Sequence, residues 1–268
     1  MTGKEKEVPF LLYHAVEPDE RSMGSWNESE KIYVITADSF EEQLAYLRER
    51  NFQSILVNDF LGWIGGKNDL PENPVLLSFD DGHVTNETVA LPLLLKYGYK
   101  AEFFITTGNA GSSGWLTAER IRKLRSSGMG IGSHAVAHRY LTDLDEHDIN
   151  CELKGSKRFL EDCLGEAITS FSPPGGRITR RIANIAEEAG YKAVCNSRLK
   201  RNSQKDSALD LGRIPVKNGL KIGDFRKIML AGPLRIDILR NYIAGSAKTI
   251  LGNDLYDRFR EVVLGKNH

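Results

Sequence analysis

Eight short β-rich runs recur along the chain, near Val8–Tyr13, Gln53–Val57, Val75–Phe79, Ala101–Thr106, Gly130–Ser133, Thr169–Ser172, Lys192–Cys195 and Leu211–Ile214, with helix-patterned stretches between them. This alternation constrains the fold more than any other feature. Strands separated by helices form parallel βαβ units, because the crossover returns the chain to the same end of the sheet. About eight strands in roughly 215 residues predict a distorted or incomplete (β/α) barrel of seven to eight parallel strands with C-terminal helices. An open doubly wound sheet is the alternative. No GxGxxG follows the first strand, which disfavours nucleotide binding.

The helical stretches carry their own punctuation. SFEEQLAYLRERN (39–51) opens on Ser39 with Glu42 three residues later, the spacing of a capping box, and places Phe40, Leu44 and Leu47 on one face. The stretches at 86–98, 116–128, 141–165 and 179–190 each end in glycine. A turn-rich loop covers 62–74, and polar residues from Met23 to Lys31 form an excursion after the first strand. Beyond Gly219 the pattern is helical and basic (GDFRKIMLAG, LRIDILRNYIAG, LYDRFREVVLG). Residues 1–268 are therefore read as a single domain, with 220–268 a helical extension packed on the barrel; a partner-binding extension is the other reading.

Lys+Arg and Asp+Glu both number 36 among 268 residues, so the formal net charge is zero. Nucleic acid or an acidic membrane surface would call for a basic excess, so neither is expected as a partner. The N-terminal apolar segment carries Pro9 and His14 and is too short for a signal-peptide core or a membrane span. No transmembrane segment and a cytoplasmic location are expected, and the oligomeric state is open. Cys151, Cys163 and Cys195 make an odd count. The first two fall on one predicted helix, about 18 Å apart, so three reduced, mostly buried thiols are expected.

Unusual polar residues gather at one end of these strands. His14 follows the first, Asp80 and Asp81 the third, His134 and His138 the fifth, and SPPGGR (172–177) the sixth. Chemistry in parallel barrels sits at the C-terminal strand ends. In HAVAH (134–138) two histidines at i and i+4 share one face of a helical turn and can converge on one ion. Imidazole and carboxylate suit zinc and other divalent transition metals. Adjacent aspartates repel, and an ion would offset that repulsion: one carboxylate holds it while the other serves as general base on a water. Solvent-facing histidines and a solvated Asp-Asp-Gly turn are the plainer alternatives.

SFDDG (78–82), HAVAH (134–138) and FSPPGG (171–176), in that order, resemble the polysaccharide deacetylase family, the carbohydrate esterase family 4 or NodB-homology enzymes. The framing YHAV (13–16), NPVLLSFDDGH (73–83), AEFFITTG (101–108), WLTAERIRKL (115–124) and GSHAVAHRYLTDL (132–144) extends the resemblance from about Pro9 to Val216. The resemblance implies a distorted barrel and one divalent metal, zinc first, with cobalt or nickel as alternatives. It implies hydrolysis of an acetyl group on an N-acetylated sugar, whether glycan precursor, oligosaccharide or polysaccharide. Asp80 matches the family's base, and Asp81, His134 and His138 its metal ligands, with a backbone N–H near Gly82 or Thr85 helping to hold the oxyanion.

Three departures from the family pattern stand out. Ala135 replaces a Ser or Thr. The third-motif Arg and aromatic give way to Ser172 or Pro173 and to Gly175. The late histidine motif is missing, since after His147 only His268 remains. His14 in Tyr13-His14 is the substitute acid, resembling a branch of exopolysaccharide deacetylases with an N-terminal YH; a packed barrel-end histidine is the other reading. Arg213 in LGRIPV, or else Arg177, replaces the missing arginine that orients the base. Pro174 and Gly175 form either a substrate groove wall or a tight connection. His83 is a loop or substrate-contact residue, and Trp26, Tyr33, Trp63 and Trp115 line a sugar surface or sit in the core. Two rivals remain: a non-catalytic metal- and glycan-binding member, and an amidase of a non-sugar amide. Gly175 and the expected location favour a nucleotide- or lipid-linked sugar or a short oligosaccharide as substrate.

Overall fold

The computed structural model describes residues 6–26 and 28–230. Seven strands, β1 (Phe10–Tyr13), β2 (Pro74–Phe79), β3 (Glu102–Ile105), β4 (Gly130–Ser133), β5 (Ser170–Phe171), β6 (Ala193–Val194) and β7 (Ile214–Pro215), pair in parallel in the order β6-β5-β4-β3-β2-β1-β7. A short eighth strand, Gln53–Ser54, pairs with the start of β2. The sheet curls into an incomplete barrel, and one bridge, Cys195↔Leu211, ties the chain beyond β6 to the segment entering β7. The expected distorted (β/α) barrel is thus the observed fold. PVLLSF in β2 is buried at every position, as a parallel sheet covered on both faces requires. Pro215 is tolerated because β7 pairs only with β1 along its length.

Helices Ala37–Glu49, Leu91–Tyr97, Ala118–Ser126, Glu146–Leu164 and Arg180–Glu188 cover the outside. Side chains of Thr36, Thr117, Asp145 and Thr179 each accept a backbone N–H of the first turn, satisfying donors the helix itself cannot. The expected box at Ser39 and Glu42 does not form, because the helix starts earlier and Thr36 accepts from the Ser39 N–H at 3.2 Å. The pattern at 86–98 divides into a wide turn, Asn86–Ala90, and a helix ended by Gly98 at φ 75°. Only the part of 141–165 from Glu146 is α-helix.

Of the expected C-terminal helices, Ile222–Leu230 packs on Ala37–Glu49, with the Tyr46 and Phe225 rings 6.0 Å apart. Arg201 Nη2 donates to the carbonyls of Ile228 and Met229, both at 2.7 Å. The helices expected over LRIDILRNYIAG and LYDRFREVVLG lie outside the described residues. The thiols are free, but only Cys195 is buried; Cys151 is exposed, and Cys163 is half-buried at the edge of the main core cluster. Among the described residues no helix is long and apolar enough to cross a membrane.

Strand periodicity sorts the interior. Leu11, Tyr13, Leu77, Phe79, Phe103 and Ile105 pack outward in the large cluster shared with the helices. The alternate residues Phe10, Leu76, Phe104, Ala193, Cys195 and Leu211 share a second cluster inside the barrel. His14, Asp80 and Ser172 have the parity of this inner set, so these strand ends deliver their polar residues to the barrel mouth; Arg213, just before β7, shares the parity and reaches up from within.

Candidate active site

Asp80 hydrogen-bonds through its N–H to the Tyr13 carbonyl, 3.0 Å, just beyond the paired ends of β1 and β2. Its carboxylate is clamped from β7. Arg213 Nη1 donates to Oδ1 at 2.7 Å and Nη2 to Oδ2 at 2.8 Å. Arg213 is 0% exposed, and it also donates to the hydroxyls of Ser172 (2.7 Å) and Ser78 (3.2 Å) and to the Asn196 carbonyl (3.1 Å). The Ser172 hydroxyl lies 3.1 Å from Asp80 Oδ2. So the position where the resemblance leads one to expect arginine holds a serine, and a guanidinium arrives from the last strand instead. Arg177, the alternative, lies over the Tyr140 ring at 4.2 Å and does not reach Asp80. Burial pushes the Asp80 carboxyl up, but Arg213 and His134 together outweigh it and hold the group below its ordinary value.

Asp81 would point to the opposite face in an extended strand. A left-handed turn, φ 75° at Asp81 and 84° at Gly82, swings it back beside Asp80. His134 Nε2 and His138 Nε2 approach Asp81 Oδ1 at 3.3 and 3.2 Å. One donor atom from each of the three residues falls within 4.8 Å of the others. Burial pushes Asp81 up, while His134, His138 and His83 more than reverse it and hold the group well below its ordinary value. His134 lies 4.0 Å from Asp80 Oδ2, and burial, which lowers its pKa, is overcome by the two carboxylates, which raise it.

The histidine pair does not lie on a helical turn. Residues 134–138 form a loop with Ala135 at φ 64° and His138 at φ 54°. Glu152 causes this: one carboxylate oxygen accepts the Val136 and Ala137 N–H groups, both at 2.8 Å, so these donors turn outward and cannot continue a helix. Gly108 donates to the Val136 carbonyl at 2.8 Å, and a Cβ at position 108 would stand 2.6 Å from that oxygen. His134 Nδ1 pairs with the Ser172 carbonyl at 2.7 Å. This fixes Nδ1 as the protonated nitrogen and leaves Nε2 free as a ligand.

Three contributors carried no clear local signal. Glu152 looks like a charged residue of a long amphipathic helix, and Gly108 like any loop glycine. His83 stacks on Trp115 (4.4 Å between ring centres), meets the Trp26 edge at 4.7 Å and comes within 3.6 Å of Asp81 Oδ2. Trp26 and Trp115 therefore flank His83, while Trp63 lies in the inner core cluster. His14 packs on Tyr33 at 4.6 Å; its Nδ1 is buried without a partner, and burial lowers its pKa despite the raising effect of Asp81 and Asp80. Pro174 is buried in a tight turn. Gly175, at φ 65°, lies so close to Tyr140 that a Cβ would stand 2.5 Å from its ring. Tyr140 thus fills the space beside the turn that an aromatic at 175 would occupy.

The donor set fits a divalent cation. Among the described residues, Asp81 Oδ1 is buried and has no hydrogen-bond partner, although two ring nitrogens face it. Such an orphaned oxygen is costly, and a cation among the three atoms would satisfy it.

Residues 67–194 match the family model for polysaccharide deacetylase. YxkH of Bacillus subtilis (strain 168), itself assigned only provisionally as a polysaccharide deacetylase, is 26% identical over 82% of this chain and 75% of its own length. A peptidoglycan-N-acetylglucosamine deacetylase of Bacillus cereus is 29% identical over 47% of this chain and 58% of its own. Among solved structures, the Streptococcus pyogenes deacetylase PplD in complex with acetate superposes with a TM-score of 0.76 at 23% identity, covering 85% of this chain and all of that one. IcaB from Ammonifex degensii gives 0.68 at 26% identity over 79% and 92%. Residues 67–194 are thus similar to the polysaccharide deacetylase family, and the chain shares the fold of solved deacetylases.

Proposed function

We propose that this protein is a metal-dependent hydrolase that removes the acetyl group from an N-acetylated sugar. The observation that carries the reading is the pairing of two differently treated carboxylates at one barrel mouth. Asp81 faces two imidazoles through an orphaned oxygen, while its neighbour Asp80 is held off that cluster by Arg213. Relatives named as peptidoglycan and poly-N-acetylglucosamine deacetylases support the substrate class.

Asp81, His134 and His138 would hold the cation, zinc first, with cobalt or nickel as alternatives. When bound, it supplies Lewis-acid polarisation of the acetyl carbonyl and makes a nearby water more acidic. Asp80, kept ionised and aimed by Arg213 and Ser172, takes a proton from the water that attacks the carbonyl carbon. His14 gives a proton to the amine nitrogen as the C–N bond breaks, releasing acetate and the free amino sugar. This role aligns the chain with the branch that carries an N-terminal YH. Pro174, Gly175 and Tyr140 form one wall of the sugar groove.

A purely binding protein would have no use for the buried Arg213–Asp80 pair, whose desolvation is expensive. An amidase of non-sugar amides would share the residues and differ in substrate. The test is acetate release from acetylated sugars and from simple amides. Asp80→Asn is expected to abolish release while metal binding persists; persistent release after replacement of both His134 and His138 by Ala would refute the reading.

A further inference from the structure

One buried cation near the site has no role in the scheme above. Lys217 lies two residues beyond β7, at the strand end that carries His14 on β1, and is 8% exposed. Its Nζ stands 5.4 Å from the centre of the Tyr33 ring, and that ring packs on His14 at 4.6 Å. The two contacts bound the separation of Nζ from the His14 ring at 10 Å. The loop is pinned on both sides of Lys217: Val216 N–H donates to the Leu12 carbonyl and Asn218 N–H to the Ile32 carbonyl, both at 2.8 Å. Burial first, and then Tyr140 and Asp81, push the Tyr33 phenol up.

The other buried cations have polar partners, although Arg201 Nε is buried without one among the described residues. Arg213 grips Asp80, and Arg201 meets two helix-end carbonyls. Lys217 has neither a carboxylate within ion-pair distance nor a hydrogen-bond acceptor among the described residues; the Tyr33 face is its partner. Burial alone acts on its ammonium, lowering its pKa. With most of its side chain buried and no counter-charge among the described residues, the ammonium is placed to gain from an anion that a ligand brings.

We infer that Lys217 anchors an anionic substituent, a phosphate or a carboxylate, on the sugar whose acetyl group is removed. The substrate is then a charged acetylated sugar and not a neutral glycan. This inference rests on the deacetylase reading for the position of the acetyl group, but its binding test stands apart from turnover.

The test compares N-acetylglucosamine 1-phosphate, N-acetylmuramic acid and the neutral methyl glycoside of N-acetylglucosamine. Binding is measured by calorimetry on the metal-loaded full chain with Asp80→Asn to prevent hydrolysis, with and without Lys217→Met or Lys217→Arg. At least one charged sugar is expected to bind ten-fold or more tightly than the neutral glycoside. Lys217→Met should erase that preference and Lys217→Arg should keep most of it; whichever charged sugar gains identifies the anion. Equal binding of charged and neutral sugars, a preference that survives Lys217→Met, or no sugar binding at all would overturn the inference. Lysine-dependent binding of a charged sugar, with no acetate released by the protein carrying Asp80, would instead overturn the deacetylase reading and leave the anion site standing.

Discussion

Replacing Arg213 by Met separates the structural and chemical roles of the clamp. Arg213 makes two hydrogen bonds to Asp80 and one each to Ser172, Ser78 and Asn196, with no exposure to solvent. Its removal leaves a buried carboxylate without its cation, a change that costs about 3–5 kcal/mol. For a chain of this size that corresponds to a fall in Tm of roughly 6–20 °C. The loss should depend on pH. In the wild type, Asp80 lies below its ordinary value, so the stability it contributes is present at neutral pH and lost as pH falls. In Arg213→Met, burial acts without the main lowering influence and the carboxyl rises, so the deficit is small near pH 4 and grows towards pH 7. Thermal unfolding of metal-free protein across that range, with acetate release by the metal-loaded protein measured in parallel, reads both effects. The double variant Asp80→Asn/Arg213→Met removes both charges and should regain at least half of the lost stability while remaining inactive. A deficit under about 1 kcal/mol, or a double variant no more stable than Arg213→Met, would refute the argument that a buried ion pair holds the base.

Other expectations concern the cation cradle. Gly108→Ala forces its Cβ towards the Val136 carbonyl, and metal affinity measured by titration should fall by about 10–100-fold as the histidine loop shifts. Glu152→Gln can satisfy the Val136 and Ala137 N–H groups only weakly and loses its charge towards Arg139; a destabilisation of about 1–3 kcal/mol is expected by denaturant unfolding. In the metal-free site the Asp80 and Asp81 carboxylates help His134 hold a proton above its ordinary value, and a cation must displace that proton. Apparent metal affinity should therefore weaken as pH drops through that range, by about ten-fold per unit for one proton, and a flat profile from pH 5 to 8 would count against His134 as a ligand.

Much of the site was legible because strands have a period of two and end at a defined rim. His14, Asp80, His134 and the SPPGGR turn could be placed at one end of a parallel sheet from spacing alone, and the structure brings them together. Arg213 was reachable only as one of two candidates, since its contact with Asp80 spans 133 positions and no local pattern encodes it. The helical reading of HAVAH did not hold: its i, i+4 spacing fits a turn of helix, but Glu152 captures the amide groups that a helix would need. The role of His83 was hidden for a similar reason, because Trp26 and Trp115, which aim it at Asp81, come from separate loops. Ser39 looked like a cap until Thr36, three residues before it, claimed the same N–H.

The meeting of β7 with β1 has a consequence for the order in which the molecule becomes competent. The three residues grouped around the orphaned oxygen lie between positions 81 and 138, whereas the guanidinium that restrains Asp80 arrives only at position 213, with the final strand. A nascent chain would thus own its cation cradle well before its acid is disciplined. Loss of the last strand should leave a metal binder without a working base, so that hydrolysis reports on whether the last strand has docked on the first.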